Sequence, residues 1–172
     1  MKFLRALTCD AAGIGGIRYG HGEIWFGGIL AGMADGIAAQ WQDLLMLLAR
    51  VLIGLIFVLS GWGKLTNISG FVATMPQRGL PDFLGYIAPF VEFFGGLLLI
   101  IGLATRYVSL VMLLFIVIAS FSTHRYWASE PAQVTNQFAH FWKNVTMMGG
   151  MVLLFVTDAG RYAVDAMLQG KR

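Results

Sequence analysis

The sequence is short of cysteine and of charged residues. Cys9 is the single cysteine among 172 residues, which excludes an internal disulfide, a C-x-x-C redox pair and a cysteine-rich metal site. Any redox chemistry would therefore need a cofactor or a partner. Charged residues make up only 12% of the chain, whereas soluble domains carry about 25%. A composition this poor in charge is typical of a membrane protein.

The basic residues are too dispersed to indicate a nucleic-acid partner. The formal net charge is +3, from 12 lysines and arginines against 9 acidic residues. These basic residues are spread along the chain and do not form the arm or stripe that contacts phosphates. We therefore predict no nucleic-acid partner and interpret the positive charges as flanks of membrane helices.

Apolar runs are abundant in the chain. Hydrophobic residues make up 58% of it, and the mean hydropathy is +0.72. Because about 20 apolar residues cross a bilayer, four spans fit into this length. We predict an all-α, polytopic membrane four-helix bundle that forms one domain over residues 44–157 and contacts the lipid bilayer. The predicted spans are residues 44–62, 83–103, 107–123 and 138–156.

Residues 1–43 contain no predicted span. Their basic start resembles a signal peptide, but the apolar run that must follow is missing. Two interpretations are open. The segment is either an N-terminal arm, partly disordered or with a short interfacial helix around 24–41, or a start-site extension, in which case translation begins at Met33 and not at Met1. Residues 158–172 form a predicted cytoplasmic C-terminal tail.

Loop charges indicate the orientation in the membrane. Basic residues concentrate on the cytoplasmic side of inner-membrane proteins. The side with both termini carries Lys2, Arg5, Arg18, Arg106, Arg161, Lys171 and Arg172, and the opposite side carries Lys64, Arg78, Arg125 and Lys143. We therefore predict a multi-pass protein of the bacterial inner membrane with both termini in the cytoplasm.

Ionisable residues inside the spans are the first candidates for a functional site, because a charge near the bilayer centre is costly unless it is paired or hydrated. Arg50 and Lys64 share one face of the first helix, and Glu92 lies near the middle of the second. Arg50 is either an anchor that reaches the interface or a partner of Glu92. Glu92 either forms an ion pair with one of these bases or stays protonated, which would suit proton transfer or hydrogen bonding to a quinone carbonyl.

Further polar residues are predicted at the external level. His124 ends the third helix, while His140 and Asn144 share one face of the fourth, beside Lys143. The histidine spacing is not one that binds metal ions, so we predict no metal site. The predicted buried polar pocket consists of Arg50, Lys64, Glu92, His124, His140, Lys143 and Asn144.

Several segments of the chain, taken together in their order and at their spacing, form a pattern that is specific for one family. They are LARVLIGLIFVLSGWGKL at 48–65, GFVATMPQRGLP at 70–81, VEFFGGLLLIIGLATR at 91–106, THRYW at 123–127, and FWKNVTMMGGMVLLF with GRYAVD within 141–165. In these segments the chain resembles the DoxX family. The resemblance implies a four-helix inner-membrane fold. By this resemblance, ten residues of the chain match positions of the family pattern: Arg50, Gly61, Lys64, Glu92, Gly95, Gly96, Arg106, His124, Lys143 and Asn144.

The resemblance also implies a redox setting. The family is linked to a membrane subunit of a thiosulfate:quinone oxidoreductase and to membrane complexes of oxidative-stress defence. The first hypothesis is therefore a membrane subunit or scaffold of a quinone-linked redox complex, with a soluble redox partner subunit and with Lys64 and Glu92 at the quinone. The alternatives are a small permease or binding protein for a polar solute, and a structural membrane protein without its own activity. The chain could form a homo-oligomer. Only the resemblance suggests an oxidoreductase, so enzymatic activity is an open question.

Overall fold

The structure is a computed structural model that describes residues 23–170, with side chains from residue 32 onward. Over these residues it is helical and contains no strand, which confirms the all-α prediction. Short 3-10 turns lie at Pro76–Arg78 and Tyr126–Ala128. The helices are α1 Glu23–Leu65, α2 Ile68–Val72, α3 Asp82–Ile101, α4 Thr105–Thr123, α5 Val134–Thr157 and α6 Val164–Leu168.

Three segments of the described chain are long and apolar enough to cross a membrane. They are Gly32–Leu65, Asp82–Ile101 and Thr105–Ala128, so the chain is an all-α membrane protein. Helix α5 has 24 residues, and at about 1.5 Å per residue it is also long enough. Its first half carries polar and ionisable side chains, however, and the fourth span remains a prediction.

The described part of the chain divides into two compact units between residues 40 and 41. In the first unit, residues 23–40 belong to α1, which therefore begins well before the predicted span at 44. Proposals for residues 1–22, including the choice of start site, lie outside the described residues. The second unit contains residues 41–65 of α1 and all the later helices.

The core of the second unit is apolar and lies between α1, α3, α4 and α5. Glycines let α1 approach α3 closely: a Cβ added to Gly61 would lie 2.6 Å from the backbone nitrogen of Phe93. Small residues at such positions are the usual means by which membrane helices pack. The buried core residues are Phe57, Leu99, Met112, Ile116, Met151 and Leu154.

The segment after α5 is folded against the bundle, and Ala159, Ala163 and Ala166 in it are buried. The two carboxylate oxygens of Asp165 accept hydrogen bonds from the backbone N–H groups at the start of α4, at 2.7 and 2.8 Å. Asp43 of α1 accepts a bond from the backbone N–H of Arg161 at 3.0 Å. The predicted C-terminal tail, as far as Gly170, thus closes this end of the bundle.

Candidate functional site

Glu92 and Lys64 form an ion pair between α3 and α1. The Lys64 Nζ atom lies 2.5 Å from both carboxylate oxygens of Glu92, and the Ser60 hydroxyl donates to Oε2 at 3.1 Å. Glu92 is buried, with 7% of its surface exposed. The close approach of the two helices at Gly61 makes this contact possible, because Ser60 and Lys64 are one turn apart on the same face of α1. Of the two bases predicted as partners of Glu92, the structure pairs it with Lys64.

Glu92 lines a small cavity of about 90 Å³, which we term the polar cavity because five polar side chains line it together with six apolar ones. Its walls come from α1, α3, α4 and α5, and the cavity is large enough for about three water molecules at roughly 30 Å³ each. Asn144 is buried and donates to the Ser120 hydroxyl at 3.0 Å. The polar side chains that line the cavity are Ser60, Glu92, His124, Lys143 and Asn144.

Two histidines stand together at the α4–α5 end of this cavity. The rings of His124 and His140 are stacked, with centroids 5.1 Å apart. The Nδ1 atom of His124 lies 2.9 Å from Oε1 of Gln137, and Lys143 donates to Nδ1 of His140 at 3.3 Å. Because an amide oxygen only accepts, Nδ1 of His124 carries the proton in this contact. Of the pair, His124 lines the polar cavity.

A second, mainly apolar cavity of about 200 Å³ also borders Glu92. It lies between α3, α4 and the loop that joins α2 to α3. The lining residues are Phe71, Met75, Arg78, Leu80, Leu84, Ile87, Ala88, Val91, Glu92, Phe115, Ile118, Ala119, Ser122 and Thr123. Glu92 therefore lines both cavities, together with Phe115 and Ala119.

Arg78 is a site residue that sequence reasoning missed. It is half-buried at the apolar cavity, and its guanidinium carbon lies 5.2 Å from the Phe71 ring centroid. Lys64 Nζ lies 5.2 Å from the same centroid. Burial lowers the pKa of the Arg78 guanidinium, and Glu92 acts in the opposite direction. Arg78 lies outside the apolar runs, so a search for charges within spans does not find it. The available signal was its place in the GFVATMPQRGLP segment.

Arg50 does not join this group, although it was predicted to. It is fully buried and donates to the backbone carbonyls of Leu99, Ile100 and Tyr162, at 3.4 and 3.3 Å for the first two. Fourteen residues separate it from Lys64 along α1, which corresponds to about 21 Å at 1.5 Å per residue. Arg50 therefore belongs to the end of the bundle closed by the C-terminal segment.

The polar cluster thus consists of Lys64, Glu92, His124, Lys143 and Asn144, with His140 stacked on its edge. A family model described as DoxX matches residues 45–125. Inner membrane protein YqjF of Escherichia coli K12 is 35% identical over 130 residues, which cover 76% of this chain and 96% of YqjF. The chain belongs to the DoxX family.

Two further relatives match the chain. Inner membrane protein YphA of Escherichia coli K12 is 29% identical over 126 residues, covering 72% of this chain and 90% of YphA. The Bacillus subtilis 168 protein named "Putative oxidoreductase CatD" is 37% identical over 71 residues, covering 41% of this chain and 53% of CatD. No solved structure matches the chain. YqjF and YphA are both named inner membrane proteins, and together with the three apolar helices they identify this DoxX-family chain as a multi-pass inner-membrane protein.

Proposed function

We propose that this DoxX-family protein is the membrane subunit of a quinone-linked redox system, and that it binds the polar head of a quinone at Glu92. The observation that carries the proposal is that Glu92, whose carboxylate is held by Lys64, lines both the apolar cavity and the polar cavity. The name of the partial relative CatD points in the same chemical direction.

The apolar cavity suits a planar, uncharged ring. Its volume of about 200 Å³ and its aliphatic and aromatic walls favour an apolar ligand body. The same cavity contains Arg78, which can donate to a carbonyl oxygen, whereas the hydroxyls of Ser122 and Thr123 donate to backbone carbonyls of α4. A quinone combines these requirements, because it presents two carbonyl acceptors on an apolar ring.

The residues present allow this chain to supply protons to a quinone but not electrons. Reduction of a quinone to a hydroquinone takes up two electrons and two protons. Lys64 and Glu92 are placed to exchange protons with a bound oxygen. The electrons would come from a soluble redox partner subunit, so in this proposal the chain binds and protonates the quinone and does not supply electrons itself.

Binding of a water-soluble, short-chain quinone to the full chain in lipid nanodiscs tests this proposal. Tryptophan fluorescence gives the dissociation constant, since Trp62 packs against Phe93 beside Glu92. Because each lost charge-assisted hydrogen bond is worth roughly 1.5–3 kcal/mol, we expect Glu92→Gln and Arg78→Gln to weaken binding by about tenfold or more.

The matched control is Glu130→Gln, which changes an exposed glutamate that lines neither cavity and should leave the dissociation constant within about twofold of wild type. If the Glu92 and Arg78 variants bind quinone like this control, the site is not at Glu92. Saturable uptake of a polar solute into proteoliposomes, lost in Glu92→Gln and insensitive to quinone, would instead favour a permease.

We further propose that α5 crosses the membrane and that both termini are cytoplasmic. Four spans return the chain to its starting side, and the basic residues near both termini support the cytoplasmic assignment. Reporter fusions at the C-terminus test this: alkaline phosphatase should be inactive there and green fluorescent protein fluorescent. The reverse pattern would contradict the orientation.

A further inference from the structure

The quinone proposal leaves the polar cavity and the two histidines without a role. This cavity is lined by Glu92 together with Ser60, Asn144 and His124. A cavity that could hold about three waters, with a carboxylate and an imidazole in its walls, is suited to carry protons.

We infer that the polar cavity is a proton-transfer compartment in which His124 delivers protons to Glu92. The inference rests on the proposed quinone site and adds the route by which that site receives protons. The hydrogen bond from Nδ1 of His124 to Gln137 fixes one edge of the ring and leaves Nε2 as the nitrogen that exchanges protons.

The transfer is balanced in protons and electrons. The N–H bond at Nε2 of protonated His124 breaks, its electron pair stays on the nitrogen, and the proton passes through cavity water to an oxygen of Glu92. The new O–H bond of Glu92 then breaks as the proton moves to an oxygen of the quinone, which has received its electrons from the redox partner. Lys64 holds the Glu92 carboxylate in place before and after the transfer.

Charged groups surround His124. Cations near an imidazolium favour the loss of its proton, and the Glu92 carboxylate in the wall of the same cavity can accept that proton. The groups that face it are His140 and Lys143 from α5, Arg78 from the α2–α3 loop, and Glu92 from α3 with its partner Lys64 from α1.

The test measures the rate of proton uptake after reduction of bound short-chain quinone. The full chain in nanodiscs receives electrons from a flash-reduced deazaflavin, and a pH-indicator dye reports protons. Because loss of a positioned proton donor commonly costs 10²–10⁴-fold, we expect His124→Ala to slow uptake at least about tenfold while quinone affinity stays near wild type. Millimolar imidazole should restore the rate, and His124→Gln should be slow in the same way.

Arg125→Gln is the matched control, because it changes an exposed neighbour of His124 that does not line the polar cavity. It should take up protons at the wild-type rate. If the His124 variants bind quinone and take up protons as fast as this control, the proton route is refuted while the quinone site stands. If the wild type binds no quinone, both proposals fail. Slow uptake that imidazole does not restore would indicate a structural role for His124 and would also overturn the inference.

Discussion

Replacement of Arg50 by methionine removes three hydrogen bonds at one end of the bundle while keeping a long side chain. Arg50 donates to the backbone carbonyls of Tyr162, Leu99 and Ile100, and the contacts with the last two are long, at 3.4 and 3.3 Å. A hydrogen bond from a charged donor contributes about 1.5–3 kcal/mol, and we assign about 0.5–1 kcal/mol to each long one. The guanidinium also lies at the C-terminal end of α3, where a positive charge contributes roughly another 0.5–1 kcal/mol.

These contributions are opposed by the cost of burying the charge of Arg50. No acidic group lies within salt-bridge distance of Arg50 among the described residues. In Arg50→Met the loss of the hydrogen bonds is therefore partly offset, because the variant no longer buries an unpaired charge. We therefore expect Arg50→Met to lower the free energy of unfolding by about 2–4 kcal/mol. Arg50→Lys should cost less, because it keeps a charge but cannot reach all three carbonyls.

The assay is reversible unfolding in mixed micelles, followed by tryptophan fluorescence. Arg161→Met is the matched control, since the Arg161 side chain is exposed and its loss should change stability by less than about 0.5 kcal/mol. Folded Arg50→Met should bind quinone like the wild type, because about 21 Å of helix α1 separates Arg50 from Lys64. An unfolding free energy within about 1 kcal/mol of the control would refute the structural role assigned to these bonds.

Two further substitutions test the packing and the closure of the bundle. Gly61→Ala should lower the free energy of unfolding by about 1–3 kcal/mol, because its Cβ would meet the backbone of Phe93. Gly63→Ala places its Cβ in open space on the same helix and should leave the stability unchanged. Equal thermal midpoints for the two variants would contradict the close α1–α3 contact. Asp165→Asn should cost about 1 kcal/mol in the same unfolding assay, because the carboxylate caps the start of α4. An unchanged midpoint relative to the exposed Asp35→Asn would show that this cap does not contribute.

Hydropathy located the long helices but not their ends. The predicted spans at 83–103 and 107–123 lie within about two residues of α3 and α4. Helix α1, by contrast, runs from Glu23 to Leu65, far beyond the predicted 44–62. Hydropathy reports which residues a bilayer accepts, whereas helix ends depend on backbone hydrogen bonds and caps. The length of an apolar run therefore underestimates the length of a helix that continues into polar sequence.

The contacts of the candidate site were predictable where the periodicity of a single helix determined which residues share a face. The spacing of Lys64 on α1 and the depth of Glu92 on α3 made their contact one of two stated alternatives. The sequence could not exclude Arg50 from the pocket, because that depended on the C-terminal segment folding back to offer the Tyr162 carbonyl. Arg78 was missed for a related reason, since only the path of the α2–α3 loop brings it to the apolar cavity.

The two buried charge centres differ in the kind of partner they have, and this difference separates structure from function. The hydrogen bonds of Arg50 go to backbone carbonyls, which cannot change protonation or turn away without unwinding a helix end. Glu92 is held by the side chains of Lys64 and Ser60, which can rotate, and it borders two cavities that could admit a ligand or water. A buried charge with backbone partners fixes helix positions, whereas one with side-chain partners beside open space can exchange a partner for a ligand. On this physical ground the redox proposal is assigned to Glu92 and the architectural role to Arg50.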